Sequence, residues 1–245
     1  MTNLTRTAFP IRSYDLDAFG LLSPTALGGF LQEAAAVSAN SLGFGLAELN
    51  HQGMTWVLVR EQFELDAPIR GGDNVLIETW PSGVDRRAAL RDFRIFSNDR
   101  EVGRALTSWL VLETASRRPV RPTRVLPVEM HAETRHVIPS WTEPIALPEA
   151  LQGERNVEVR YSDIDANLHV TNTSYVSWVV DAVDELTWRE RWLQGLDIQF
   201  LAECSLGSRI VTRTGSLGHE SRLHSVTREQ DNKEIARARS FWRRK

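Results

Sequence analysis

The 245-residue sequence has one cysteine, Cys204, so no disulfide can form within the chain. No group of cysteines and histidines has the spacing of a structural zinc site, so metal is not expected to hold the fold together. No run of apolar residues approaches the roughly 18 that a membrane span needs. The opening residues, MTNLTRTAFPIR, lack the apolar core of a signal peptide. Together these absences lead to the expectation of a cytoplasmic protein without a membrane span, a metal or another cofactor.

A shortage of net positive charge excludes general affinity for nucleic acid, since the formal balance is -3. The charge is unevenly placed, however. Residues 86 to 124 hold ten arginines (Arg86, Arg87, Arg91, Arg94, Arg100, Arg104, Arg117, Arg118, Arg121 and Arg124) against four acids, Asp92, Asp99, Glu101 and Glu113. Such a segment is either the solvated face of a hairpin or a docking patch that steers an acidic partner.

What the chain does contain is an internal repeat. Residues 9 to 34 fall on residues 157 to 182 at a constant offset of 148 without a gap. Asp15-Leu16-Asp17-Ala18 matches Asp163-Ile164-Asp165-Ala166, and Leu27, Phe30, Glu33 and Ala34 match Tyr175, Trp178, Asp181 and Ala182. Later, Glu101-Val102-Gly103-Arg104-Ala105 matches Glu234-Ile235-Ala236-Arg237-Ala238, and Trp109 matches Trp242. Two units follow, 1–118 and 155–245, joined by a proline-rich connecting segment at 119–154.

Each unit reads as a short strand, one helix and four more strands. In the first, Ser23 is a suitable N-cap and Pro24 suits the first helical position, with Leu27, Phe30, Leu31 and Ala34 at helical spacing. Strand patterns follow at 54–66, where Val57, Val59, Phe63 and Leu65 alternate, and at 73–80, 88–97 and 102–113. In the second, Val176, Val179, Val180 and Val183 mark the helix, and strands run near 196–204, 209–215, 221–229 and 234–243. A long helix wrapped by an antiparallel sheet is an α+β arrangement called a hotdog. Two such units in one chain can pair as a pseudo-dimer.

The copies differ most in the loop ahead of the helix. Asn167 and His169 of the second copy match Phe19 and Leu21 of the first, while Asp165 keeps a counterpart in Asp17. At an offset of 135, Glu203 and Cys204 match Pro68 and Ile69. Thioester hydrolysis needs a base or nucleophile, an oxyanion donor and a proton source for the leaving thiol. Asp165 or Glu203, Asn167 and His169 could supply these, with the helix N-terminus behind them. Asp163, Thr171 and Asn172 read as turn and cap residues. Strand alternation puts Cys204 in an apolar series with Ile198, Phe200 and Ala202, leaving it between core packing and a supporting role, and turns Glu203 to the other face. The remaining histidines, His51, His131, His136, His219 and His224, show no partner pattern.

The run Asp163-Ile164-Asp165-Ala166-Asn167-Leu168-His169-Val170-Thr171-Asn172-Thr173-Ser174-Tyr175-Val176-Ser177-Trp178 resembles the D-x-N-x-H signature and following helix of the acyl-acyl carrier protein thioesterases of plants and bacteria. Glu203-Cys204 is similar to that family's Glu-Cys dyad. Ile11-Arg12-Ser13-Tyr14, Leu31-Gln32-Glu33-Ala34 and Trp56-Val57-Leu58-Val59-Arg60 resemble its N-terminal signatures. The resemblance implies a tandem hotdog that releases free fatty acid from acyl carrier protein, with Asp165, Asn167, His169, Glu203 and Cys204 at the catalytic site. Asp165 would be nucleophile or base, Glu203 would help activate water, Asn167 would position the acyl carbonyl or Asp165, and His169 would assist proton transfer. Family mechanisms have been framed around the Cys and His and around carboxylates, and the strand argument favours the latter.

The N-terminal unit would hold the acyl chain, with Leu27, Phe30, Leu31, Trp56 and Leu58 as candidates for the lining. The implied partner is acidic acyl carrier protein, met by the arginine-rich surface, and the chain would be a monomer or homodimer. Plant members carry a transit peptide not seen here, which fits a bacterial cytosolic enzyme better. Other readings are an acyl-coenzyme A thioesterase, a hotdog dehydratase and a non-catalytic acyl-thioester sensor.

Overall fold

A computed structural model of the chain describes residues 3–132, 136–138, 143–165 and 168–245. Contacts divide the chain into Met1–Ser23 with Gly29–Trp141, and Pro24–Gly28 with Thr142–Lys245.

The first unit runs β1 (Thr5–Pro10), α1 (Pro24–Ser41), α2 (Leu46–His51), β2 (Met54–Leu65), β3 (Asn74–Asp85), β4 (Ala88–Ser97), β5 (Arg100–Glu113) and the two-residue β6 (Pro119–Val120). The second runs β7 (Gly153–Glu158), α3 (Asn172–Asp181), α4 (Glu185–Glu190), β8 (Arg191–Phe200), β9 (Arg209–Ser216), β10 (Ser221–Arg228) and β11 (Lys233–Arg244). Strand order in the first is β1-β3-β4-β5-β2, with β6 beside β5. In the second it is β7-β9-β10-β11-β8, the same order in corresponding strands, and both sheets are antiparallel. These are two tandem hotdog units. The helices differ: α1 has 18 residues as expected of a long helix, whereas α3 has 10 and stops at Asp181, so Val183 is buried beyond the helix end.

Register shows which residues of the first sheet face α1. Phe9 stacks on Phe30 with ring centroids 4.6 Å apart, and Thr5 donates its hydroxyl to Ser38 at 3.1 Å, so the Thr5–Phe9 side of β1 is the helix side. Thr5 pairs with Thr79, Thr79 with Phe93, Phe93 with Ala105 and Ala105 with Phe63, one lateral row across the whole sheet. The next row is Pro81, Arg91, Thr107 and Glu61. Residues directly opposite in a ladder share a face, so both rows lie under α1.

One expectation fails here. Val57 does not share a face with Phe63 and Leu65, and Val59 is the extra residue without a partner in β5, because a bulge between Leu58 and Arg60 shifts the register of β2 against β5. An extra residue in one strand swaps inside for outside beyond it. Trp56 and Leu58 therefore fall on the α1 side before the bulge, and Glu61, Phe63 and Leu65 after it.

The other face of the first sheet is covered by part of the connecting segment. Asp92, wholly buried, accepts the Val137 backbone N–H at 2.7 Å and stands 2.7 Å from His136 Nδ1. Ile138 packs against Leu90 and Leu106. Ile145, also buried, is fastened to the second sheet: its N–H donates to Gln199 and its carbonyl accepts from Arg237. The segment at 119–154 is thus held at points such as His136–Ile138 and Ile145, and it includes β6 and the start of β7.

Glu61 is fully buried and neither carboxyl oxygen has a hydrogen-bond partner. Burial pushes its carboxyl up to about 8. It is therefore neutral in the fold at pH 7 and ionised in the unfolded chain, where an ordinary carboxyl loses its proton near 4.5. Between those values the unfolded state binds fewer protons, so stability falls as pH rises. Glu61→Gln is expected to remove a decline on the order of 4 kcal/mol between pH 5 and pH 8. Urea unfolding of both proteins at the two pH values measures it, and parallel declines would refute the assignment.

Candidate active site

The loop ahead of each helix has one backbone skeleton used twice. In the first unit Asp15 Oδ2 accepts the Arg12 N–H at 2.8 Å, and Asp17 Oδ1 accepts the Leu21 N–H at 3.0 Å. The Asp17 N–H donates to the Leu21 carbonyl at 2.7 Å, and Leu22 N–H donates to the Ile69 carbonyl at 2.9 Å. In the second unit Asp163 Oδ2 accepts from Arg160 at 2.8 Å and Asp165 Oδ1 from His169 at 3.2 Å. Asp165 N–H donates to His169 at 2.8 Å, and Val170 N–H donates to the Cys204 carbonyl at 3.0 Å. The offsets of 148 and 135 residues therefore join structural equivalents.

On that shared skeleton the second unit presents different side chains. Where the first has Leu21, buried, the second has His169, whose side chain is 39% exposed. Its Nε2 lies 3.3 Å from Glu203 Oε2, itself on a side chain 43% exposed. The imidazole and carboxylate meet within reach of water, and the Asp165 carboxylate is anchored to the backbone of the same histidine. Asn167 lies outside the described residues.

Glu203 and Cys204 turn out opposite to each other, but not for the reason expected. The strand stops at Phe200, where the N–H groups of Leu201 and Ala202 both donate to the Ile235 carbonyl, so alternation does not extend to 204. Residues 201–204 form an irregular crossing that leaves Glu203 exposed and Cys204 2% exposed. Two residues that sequence reasoning passed over shape this crossing. Tyr175 donates its hydroxyl to the Ala202 carbonyl at 3.3 Å, and Arg228 donates to the Glu203 carbonyl at 3.1 Å while its guanidinium grips Asp231. The Asp231 hydrogen bonds raise the Arg228 pKa, whereas burial, reinforced by the neighbouring Cys204, pushes the Tyr175 hydroxyl up. Arg228 carries no sequence signal, since an arginine at the end of a strand is usually just solvated. Tyr175 was visible as the partner of Leu27 in the repeat.

Among the residues expected to line the acyl site, Leu27, Phe30, Leu31 and Leu58 are buried and Trp56 is partly buried. Leu27 falls in the stretch grouped with the second unit. Trp56 donates its indole N–H to the Phe44 carbonyl at 2.9 Å and packs with Phe44, Leu49 and Val111.

The arginines of residues 86–124 are not one surface. Arg91 is buried, Arg94 lies over the Trp80 ring and near Glu101, and Arg104 pairs with Asp66 and Glu101. Arg86, Arg87 and Arg121 instead line a single open cleft of about 320 Å³ with Val84, Pro122 and Thr123. Among the described residues no group of three or more His, Cys, Asp or Glu could hold a metal ion, and no helix is long and apolar enough to cross a membrane.

Fold and site together define a tandem hotdog protein with a polar loop constellation in its second unit alone. The chain belongs to the acyl-ACP thioesterase family: the N-terminal domain profile matches residues 2–127 and the C-terminal domain profile residues 148–244. It is 26% identical, over 98% of its length, to a chloroplastic dodecanoyl-(acyl-carrier-protein) hydrolase of Cinnamomum camphora, and 26% identical, over 99%, to a chloroplastic acyl-(acyl-carrier-protein) hydrolase of Cuphea viscosissima. It spans 68% and 62% of those proteins' lengths. A crystal structure of an acyl-ACP thioesterase from Bacteroides thetaiotaomicron shares the fold with a TM-score of 0.89 at 22% identity, over 98% of both chains.

Leu168 lies in the helix-entry loop of the second unit at φ +63°, where the first unit has Gly20 at φ +74°. A left-handed backbone costs a leucine roughly 1–2 kcal/mol and a glycine almost nothing. Since the Leu168 side chain is exposed, Leu168→Gly is expected to stabilise the protein by about 1 kcal/mol in chemical unfolding. A loss of similar size would contradict the repeat of the loop backbone.

Proposed function

We propose that this protein hydrolyses the thioester of a fatty acyl chain carried on acyl carrier protein, releasing free fatty acid and the carrier's thiol. The observation that carries the reading is the contact of His169 with Glu203 beside Asp165, in a chain that matches this thioesterase family through both units. The first unit keeps Asp17 but has Phe19, Leu21 and Pro68 where the second has Asn167, His169 and Glu203, so it lacks the histidine–glutamate contact beside the carboxylate and is left to hold the acyl chain.

In this proposal Asp165 acts as nucleophile or as the base that takes a proton from water, and Asn167 orients the acyl carbonyl or Asp165. The oxygen adds to the carbonyl carbon and the developing oxyanion faces the free N–H groups at the start of α3. Collapse breaks the carbon–sulfur bond, and His169, held by Glu203, delivers a proton to the sulfur. Glu203 also helps to activate the water, which attacks the acyl carbon directly where Asp165 is the base, or cleaves the acyl–Asp165 anhydride and restores the carboxylate where Asp165 is the nucleophile. Cys204, buried with its carbonyl holding the Val170 N–H, supports the loop rather than attacking. No cofactor is needed, because the thioester is already activated. A bacterial cytosolic enzyme, monomeric or homodimeric, is part of the same proposal.

Thiol release from matched acyl-carrier-protein and acyl-coenzyme A substrates tests it. Asp165→Ala is expected to lower kcat/KM by about a thousandfold, His169→Ala and Glu203→Gln by about a hundredfold, and Cys204→Ala by less than about tenfold. Preference for coenzyme A would reassign the carrier, and full activity in Asp165→Ala would remove the mechanism.

The acidic carrier is proposed to dock at the cleft of Arg86, Arg87 and Arg121. Opposite charge at this rim chiefly speeds encounter and is weakened by salt. The triple change to glutamate is expected to raise KM for acyl carrier protein about tenfold at low salt while leaving short acyl-pantetheine thioesters unaffected. An equal loss on both would show that the cleft serves folding instead.

A further inference from the structure

Glu61 has no place in the chemistry proposed above, yet it occupies the interior of the unit assigned to the acyl chain. The bulge before it turns its side chain to the α1 face of the sheet, in the row Glu61, Thr107, Arg91 and Pro81. Its neighbours do not satisfy it. Thr107 Oγ1 accepts the Trp109 indole N–H at 2.7 Å, and Arg91 Nη1 donates to Thr79 Oγ1 at 3.3 Å. Arg91 stands two strands away, about 10 Å by the usual strand spacing. Both carboxyl oxygens of Glu61 are thus buried without a hydrogen-bond partner, and the neighbouring row on the same face, Phe63, Ala105 and Phe93, is apolar.

A buried polar group without a partner is a standing cost, and it is relieved when an occupant brings the missing hydrogen bond. A plain hydrocarbon chain cannot do this. A hydroxyl both donates and accepts, and an oxo group accepts, which matches a protonated carboxyl that does both. Resting on the proposal that the first unit holds the acyl chain, we infer that Glu61 is a specificity-determining residue whose carboxyl hydrogen-bonds a hydroxyl or oxo substituent on the bound acyl chain. Sites that hydrogen-bond a substrate hydroxyl reject the analogue lacking it far more strongly than apolar pockets reject an extra methylene.

The test uses free acids, so that it reads the pocket without turnover. Titration calorimetry on the full chain compares dodecanoic acid with a set of dodecanoic acids carrying one hydroxyl or oxo group at successive carbons. At least one member is expected to bind tenfold or more tightly than the parent, and Glu61→Met to abolish that gain without weakening the parent acid. If no member gains in the wild type, or the gain survives in folded Glu61→Met, the inference is overturned and Glu61 is satisfied by buried water. If Glu61→Met fails to fold, Glu61→Leu takes its place, and a gain that survives there overturns the inference just as no gain in the wild type does. An active thioesterase without the gain would sink this inference only. A protein that shows the Glu61-dependent gain but cleaves no thioester would instead sink the proposed function.

Discussion

Lateral register governs both units, because each five-stranded sheet has one face to bury under a helix. A slip of one residue in any strand would turn its whole apolar set outward. The row from Thr5 to Phe63 crosses five strands without interruption, and the stacking of Phe9 on Phe30 ties its edge to α1. Everything placed beneath the helix, apolar or polar, is there because this register holds. The one extra residue in β2 is therefore not a local blemish. It decides that Glu61 faces α1 while Gln62, also buried, faces the opposite side of the sheet.

Much of this was legible in the sequence. The helix begins at Pro24 as its capping pattern requires, and the strands from β2 to β5 and from β9 to β11 fall close to their alternating runs. The repeat offsets located equivalent loop residues to the position, since identical hydrogen bonds recur at those spacings. What escaped had no local signal. The bulge sits in an uninterrupted run of strand formers, Trp56 to Val59, without a glycine or proline to mark it. The end of β8 at Phe200 is set by the Ile235 carbonyl, a partner 35 residues away in sequence. Glu61 was hidden for the first reason, and the cause of the opposite postures of Glu203 and Cys204, though not the postures themselves, for the second.

The two helix-entry loops show how a site is specified without altering a backbone. Both hold a carboxylate on the N–H four residues ahead, and both close against the carbonyl of the residue that follows the distant Pro68 or Glu203. In one copy the skeleton is dressed in Phe19 and Leu21, and in the other it carries a histidine that meets a glutamate. The carboxylate of Asp165 is thus tied first to architecture.

The buried Asp92 bears on where the first unit ends. By holding His136 and Val137 against the outside of β4, it makes the proline-rich stretch a lining for that sheet. A polypeptide cut at residue 118 would keep β1 to β5, lose β6 from beside β5, and expose Leu90 and Leu106 where Ile138 now covers them. A duplicated ancestor of single units would have needed another cover for that surface. In this sense the stretch between the repeats is the third structural ingredient of the protein, since it supplies the cover over Leu90 and Leu106.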